Sequence, residues 1–213
     1  MTIEPAFRGS WSGVIHPARS EEVPEIVDVH LSSFPGFFLT FLGRRFLALL
    51  YEQMQHNDEG AVLVAASADR IEGFVAGVRH QGGFYQRLVK RKKWAFARAA
   101  FGAVLRRPAI IPRLVRALRR PAEAQQSAAD ACLMSIAVRP EAAGQRIGQQ
   151  LVRAFCGEMW QRGVPAVCLT TDRDNNERTN RFYQQLGFRL SSTFVTPEGR
   201  AMNEYVISLP LKD

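Results

Sequence analysis

The sequence predicts an α/β fold: a mixed, mostly antiparallel central sheet with helices on both faces. Three observations predict it. Short apolar runs of strand length alternate with longer amphipathic stretches. Two of these runs flank a short polar connection, the pattern of a hairpin. The C-terminal part reads strand, helix, strand, helix and then two further strands around a turn, an order that gives a mixed sheet.

The elements follow in order. Residues 1–13 read as a flexible lead-in, and Val14–Arg19 as a short first strand. Ser20 before Glu21, Glu22 and Pro24 reads as a helix start, with acids where the helix dipole favours them. Val23, Ile26, Val27, Val29 and Leu31 give that helix an apolar face, and Pro35-Gly36 ends it. A second helix is expected over Phe38–Met54. Ala61–Ala66 and Ile71–Val78 form the hairpin. Leu88–Leu105 and Ile111–Leu118 are helical in composition, and Pro121–Asp130 is an alanine-rich linker. Strand Ala131–Val138, helix Gly144–Gln161, strand Ala166–Thr171 and helix Glu177–Leu186 come next. Strands Phe188–Val195 and Met202–Leu209 close the chain. The reading is one domain over 14–213 with a basic helical insertion at 85–120.

Composition narrows the function classes. Apolar residues are 46% and charged residues 23% of 213, ordinary for a globular chain. The N-terminal MTIEPAFRGSWSG lacks the apolar core of a secretory signal. The longest mostly apolar helical stretch, Phe37–Tyr51, is interrupted by Arg44 and Arg45 and is shorter than the roughly 20 residues a membrane span needs. Cys132, Cys156 and Cys168 have no metal-binding spacing and read as reduced core thiols of a cytoplasmic protein.

Charge is uneven. Tyr85–Arg120 holds twelve Lys or Arg and no Asp or Glu; taking those twelve from the net +8 leaves −4 for the rest. Aromatic and aliphatic residues (Trp94, Phe96, Phe101, Val104, Leu105) interleave with the cations. This segment reads first as a solvated lid. An anionic membrane surface, approached from its inner face, is the next reading, followed by a phosphorylated acceptor. Nucleic acid is disfavoured because no reading motif accompanies the charge. A homodimer is admitted.

Two stretches carry chemistry. In Met134–Leu151, MSIAVRPEAAGQRIGQQL, a strand ends and a short loop opens a helix near Ile147-Gly148. Free backbone N–H groups and the helix dipole make such a start an anion site. Gly144 and Gly148 allow close approach, and Arg146 adds a charge-assisted contact. A plain strand–turn–helix would carry the same two glycines. In Thr171–Phe188, TDRDNNERTNRFYQQLGF, Asn175 or Asn176 caps a helix that bears Asn180 and Tyr183 on one face. A phenol there can protonate a departing thiolate. Phe182 and Phe188 read as core aromatics.

Together these stretches resemble the acetyl-CoA site of the GCN5-related N-acetyltransferases (GNAT). That family has a Q/R-x-x-G-x-G/A turn. Aligned on Pro140 and Gly148, its Q/R position falls on Ala143, its first glycine on Arg146 and its last Gly/Ala on Gly148. Gly144 lies where many members also have glycine. The family's N-x-x-A-x-x-x-Y-x-x-x-G-F pattern falls on Asn176, Thr179, Tyr183, Gly187 and Phe188, with threonine in place of alanine. The resemblance covers Ala131–Leu209.

The resemblance implies an enzyme that moves an acetyl group from acetyl-CoA to a primary amine by direct attack. The cofactor would enter between the strands Ala131–Val138 and Ala166–Thr171. Ile136, Ala137 and Val138 would hold the pantetheine arm, and Ala143, Gly144, Gln145, Arg146, Ile147, Gly148 and Gln149 the pyrophosphate. Asn176 and Asn180 would add cofactor contacts, and Tyr183 would be the general acid. The strand before the turn offers no carboxylate base, so Ser135 with a water, Asp172, Glu204 and His30 are candidates. Phe34–Gly43, FPGFFLTFLG, is expected to wall an acceptor pocket; the segment resembles those of acetyltransferases from bacterial surface-polysaccharide pathways, and that resemblance implies an amino sugar or nucleotide-linked amino sugar as acceptor. The competing readings are a catalytically silent acyl-CoA-binding module and a peripheral membrane protein that uses the basic insert.

Overall fold

The computed structural model describes residues 11–68, 70–80, 84–106 and 129–211. The helix expected over Ile111–Leu118 and the linker expected up to residue 128 lie outside the described residues. So do residues 1–10 of the lead-in. Trp11, expected in the lead-in, packs partly buried against the core.

Strands β1 (Val14–Pro17), β2 (Gly60–Ala66), β3 (Ile71–Val78), β4 (Ala131–Val138), β5 (Ala166–Asp172), β6 (Arg189–Val195) and β7 (Ala201–Ser208) form one sheet. Their spatial order is β1-β2-β3-β4-β5-β7-β6. Every neighbouring pair is antiparallel except β4–β5. β2 and β3 are buried along nearly their whole length because helices cover both faces, which is why they read as continuous apolar runs.

On one face lie α1 (Val23–Ser33), α2 (Phe38–Leu42), α3 (Arg44–Gln55), α4 (Phe84–Arg91) and α5 (Lys93–Arg106). On the other lie α6 (Ile147–Gln161) and α7 (Glu177–Gln185). The predicted apolar stripe of α1 is its buried face: Val23, Ile26, Val27 and Val29 are each at most 1% exposed. Glu25, in the first turn of α1, accepts a hydrogen bond from the Ile71 N–H at 3.0 Å and ties the helix to the start of β3.

The single helix expected over Phe38–Met54 is two. Gly43 has φ +86° and ψ 172°, a conformation that only glycine adopts without strain, and the chain turns there between α2 and α3. The break lets Phe37 and Leu39 reach the sheet's central cleft, while α3 buries Phe46, Leu47, Leu50, Tyr51 and Met54.

Candidate active site

The site begins as a fault in the sheet. β4 and β5 are partnered only at Ala131–Val167 and Cys132–Cys168. β5 meanwhile pairs with β7 along seven consecutive positions. On its other side β4 carries a bulge: Ala76 faces Ser135 and Gly77 faces Leu133, leaving Met134 as the extra residue. A bulge bends its strand and increases its twist. Beyond Cys132, therefore, β4 leaves β5. Its β5-facing N–H and C=O groups are left for a partner that is not a strand of this sheet.

The gap is a cleft of about 550 Å³. Ile136, Ala137 and Val138 line it. Gly148, Asn176 and Tyr183 line it too, as do His30, Phe34, Phe37 and Ser135. An extended chain with amide groups, such as pantetheine, can add to a strand edge of this kind as an extra strand would. The residues present therefore fit the acyl carrier.

The turn after β4 is built for its backbone. A short 3-10 turn, Pro140–Ala142, plants Ala142 in the core. Gly144 follows at φ +86° and Arg146 at φ +61°. Arg146 is thus left-handed, the conformation that makes glycine the favoured residue there. The arginine side chain does not prevent the turn. The first bond of α6 runs from the Gln150 N–H to the Arg146 carbonyl at 3.1 Å. The N–H groups of Ile147, Gly148 and Gln149 precede it and have no partner within the helix. Ala143, Gly144 and Arg146 are exposed. The Ile147 side chain is 1% exposed and belongs to the core, so only its backbone can serve a ligand. A Cβ on Gly148 would sit 3.5 Å from the Phe182 ring, which leaves this point of the cleft wall bare backbone.

α7 fixes Tyr183. The helix ends at Gly187, φ +92°, and the Phe188 N–H returns to the Tyr183 carbonyl at 3.1 Å. Phe188 then packs edge-on against Tyr183 at 5.7 Å, and Phe182 does so at 5.1 Å. The spaced glycine and phenylalanine of the pattern are what hold the tyrosine in place. Burial pushes the Tyr183 phenol well above its usual value near 10, with the neighbouring Cys132 adding to the effect. The group therefore keeps its proton at neutral pH.

The two asparagines part company. Asn176 occupies the N-cap position, but its side chain makes no cap. Its amide donates to Thr171 Oγ1 at 2.6 Å and to the Asp172 carbonyl at 3.1 Å, pinning the helix start to β5 beside the cleft. Asn180, expected to contact the cofactor, is absent from the cleft lining. Its amide donates to the Asp172 and Asn176 carbonyls, and its Oδ1 accepts from Asn203 Nδ2 and Tyr205 Oη, each at 3.0 Å. Those bonds occupy the side chain and give Asn180 a structural part, a latch between α7 and β7.

The candidate bases also separate. Glu204 accepts from Ser192 at 3.1 Å and does not line the cleft. Asp172 lines it but is clamped by Arg200 through bonds of 2.6 to 3.0 Å. Ser135 and His30 remain on the wall formed by β4 and α1. His30 Nδ1 is 2.7 Å from Tyr51 Oη, while its Nε2 is buried without a partner. Burial drives its imidazole down to about 4, so the ring is neutral at physiological pH. Sequence reasoning missed Arg200, Arg178 and Met202, which line the cleft from the β6–β7 turn, α7 and β7. Arg200 lies in a turn with no motif to flag it; its guanidinium sits 6.0 Å from the Phe37 ring. The three cysteines are buried and form no disulfide, and burial raises Cys156 to about 12, unlike an activated nucleophile. Among the described residues no cluster could hold a metal ion.

A splayed parallel pair, a helix start facing the gap and a buried phenol beside it define an acyltransferase. The family profile of the acetyltransferase (GNAT) family matches residues 23–188, and the chain belongs to that family. It is an acetyltransferase, and acetyl-CoA is the acyl donor of that family. No curated protein matches it by sequence. Among solved structures it is similar to a putative GNAT acetyltransferase from Desulfovibrio desulfuricans (14% identity, TM-score 0.63, covering 93% of this chain and 100% of that one). It is also similar to the ribosomal-protein-S18-alanine N-acetyltransferase from Escherichia coli (12%, 0.58, 94% and 96%). A third is an aminoglycoside 6'-N-acetyltransferase complexed with coenzyme A (13%, 0.59, 94% and 99%). At these identities the likeness is one of fold.

Proposed function

We propose that the chain acetylates a primary amine of a small molecule, an amino sugar or nucleotide-linked amino sugar, by direct transfer in the cytoplasm. The observation that supports this reading is the composition of one cleft. Backbone of β4, the α6 start and Tyr183 share it with an aromatic wall, Phe34 and Phe37, on the α1–α2 side. The flat apolar faces of those rings suit the C–H face of a sugar, and its amine and hydroxyls require nearby polar groups such as Ser135 and His30.

Acetyl-CoA supplies the thioester. Free N–H groups of β4 polarise the reacting carbonyl, and the α6 start holds the pyrophosphate. Tyr183 gives its proton to the departing sulfur. The burial that raises its phenol would also raise a thiol held beside it, so desolvation does not by itself oppose the transfer. The amine loses its proton to water held near Ser135 and His30, and the proton passes on to solvent, because an imidazole held near 4 does not keep it. The buried thiols take no part, in keeping with transfer without a covalent enzyme intermediate.

The test is a panel of primary amines, including nucleotide amino sugars, assayed for amine-dependent CoA release. Turnover with amino sugars alone supports the proposal. Turnover only with peptides or with amines that carry no sugar ring replaces the acceptor. Acetyl-CoA binding without turnover on any amine would leave the silent module as the better description.

A further inference from the structure

The α4–α5 pair has an outer face that the acetyl-transfer site does not use. On the inner side of α5, Phe96 is 3% exposed and packs edge-on against Phe46 of α3 at 5.2 Å, and Ala100 is 4% exposed. On the outer side Trp94 is 79%, Phe101 65% and Leu105 72% exposed. With Arg98 they lie within an arc of about 60° on a helix of 3.6 residues per turn. Three large apolar side chains in one exposed line are not the scatter expected of a solvated surface.

The charge around this line has one sign. Residues 84–106 include seven Lys or Arg and no Asp or Glu. Arg87 is taken up in an ion pair with Glu59 at 2.7 Å. Lys90, Lys92 and Lys93 stand exposed at the α4–α5 corner, and Lys93 Nζ sits 5.6 Å from the Trp94 ring centre. A tryptophan flanked by lysines, with Phe and Leu along the same helix line, has the chemistry of an interfacial helix: apolar residues enter the acyl boundary while ammonium groups meet anionic headgroups.

We propose that this face docks the protein on an anionic lipid bilayer. Charge selects this occupant over the others. A second copy would bring a like-charged face against it. Residues 107–128 carry five Arg and one Glu, so this neighbouring segment matches the face in sign. Nucleic acid would supply negative charge, and Trp94 and Phe101 would offer it stacking faces, but the aliphatic Leu105 in the same exposed line suits acyl chains and not bases. α5 packs against α2, and the α2 segment contributes Leu39 to the cleft. Docking would therefore turn the acceptor side of the site toward the headgroups, whatever the acceptor is.

The experiment is co-sedimentation of the full chain with vesicles of phosphatidylcholine alone and of phosphatidylcholine containing a third phosphatidylglycerol. Binding is expected to the anionic vesicles only and to weaken with salt. Each lysine near the surface contributes about a fivefold change in affinity. Lys90→Gln/Lys92→Gln/Lys93→Gln should therefore weaken binding about a hundredfold, and Trp94→Ser/Phe101→Ser should weaken it at unchanged charge. Circular dichroism melts verify that both variants fold. No binding by the wild type, equal binding to neutral vesicles, or full binding by both variants would overturn the proposal. So would a single-stranded oligonucleotide that binds through the same residues and displaces the vesicles.

Discussion

His30 should make the protein lose stability in mild acid, and replacing it should remove that loss. The ring is 3% exposed, with Phe34 and Phe74 as ring neighbours and Tyr51 Oη on Nδ1. Burial lowers its pKa from 6.5 to about 4. The folded pKa lies below the unfolded one, so between these values the unfolded chain binds the extra proton. Stability is fully present above pH 6.5 and falls as pH drops toward 4. Each pH unit costs about 1.4 kcal/mol, and the fall to pH 4.5 costs roughly 2 kcal/mol once residual solvent screening is allowed for. His30→Phe keeps an aromatic ring among aromatics and gives up one hydrogen bond to Tyr51, about 1 kcal/mol at pH 7. Urea unfolding at pH 7 and pH 4.5 reads the difference. The carboxylates titrate in both proteins and cancel. With m near 2 kcal/mol/M, the wild-type midpoint should drop about 1 M more than the variant's. Equal drops would mean that His30 is not held neutral, and the account of this wall of the cleft would fail with it.

Three further outcomes follow from the site. Tyr183→Phe removes one hydroxyl and keeps the contacts with Phe182 and Phe188, so kcat should fall about 10²-fold or more while KM for acetyl-CoA changes little; steady-state kinetics with the best amine of the panel decides. Asn180→Ala leaves Asn203 and Tyr205 short of an acceptor, and it should cost about 1–3 kcal/mol in urea unfolding with acetyl-CoA affinity unchanged. A selective loss of acetyl-CoA affinity would restore Asn180 to the cofactor site. Arg146→Gly relieves a left-handed arginine and should raise stability by about 1 kcal/mol, read as a higher melting midpoint.

Most of the fold was legible because its signals are local. β3 and β4 end where the apolar runs end, whereas the helix read from Ser20 begins as a 3-10 turn, Ser20–Glu22, and α1 itself starts only at Val23 with Glu22 at its N-cap. What sequence did not show depended on backbone angles and distant partners. Gly43 sits within an unbroken helical apolar pattern, and nothing in that spacing reveals φ +86°. Met134 is an ordinary strand residue until β3 supplies the register that makes it a bulge. Asn180 carries the same side chain as Asn176 one turn earlier. Its partners, Asn203 and Tyr205, lie more than twenty residues away on β7 and tie its side chain to that strand.

The turn before α6 shows where a pattern of letters and the chemistry diverge. Read as letters, Ala143 and Arg146 depart from the family's turn and only Gly148 agrees. The turn needs a chain that can take a left-handed step, a helix whose first N–H groups stay free, and nothing larger than a small side chain on the cleft wall at Gly148. Arg146 takes the step at φ +61°, with a local cost of about 1–2 kcal/mol. Arg146 is exposed at the helix start, and a guanidinium there can meet phosphate. Glycine in the same place supplies only the step. The substitution thus exchanges backbone ease for a cation at the point where the α6 dipole already favours an anion. If that exchange is real, the Arg146→Gly variant that gains stability should also bind acetyl-CoA more weakly, and the difference should shrink with rising salt. Equal acetyl-CoA affinity in both proteins at low salt would mean that the arginine contributes strain and nothing else.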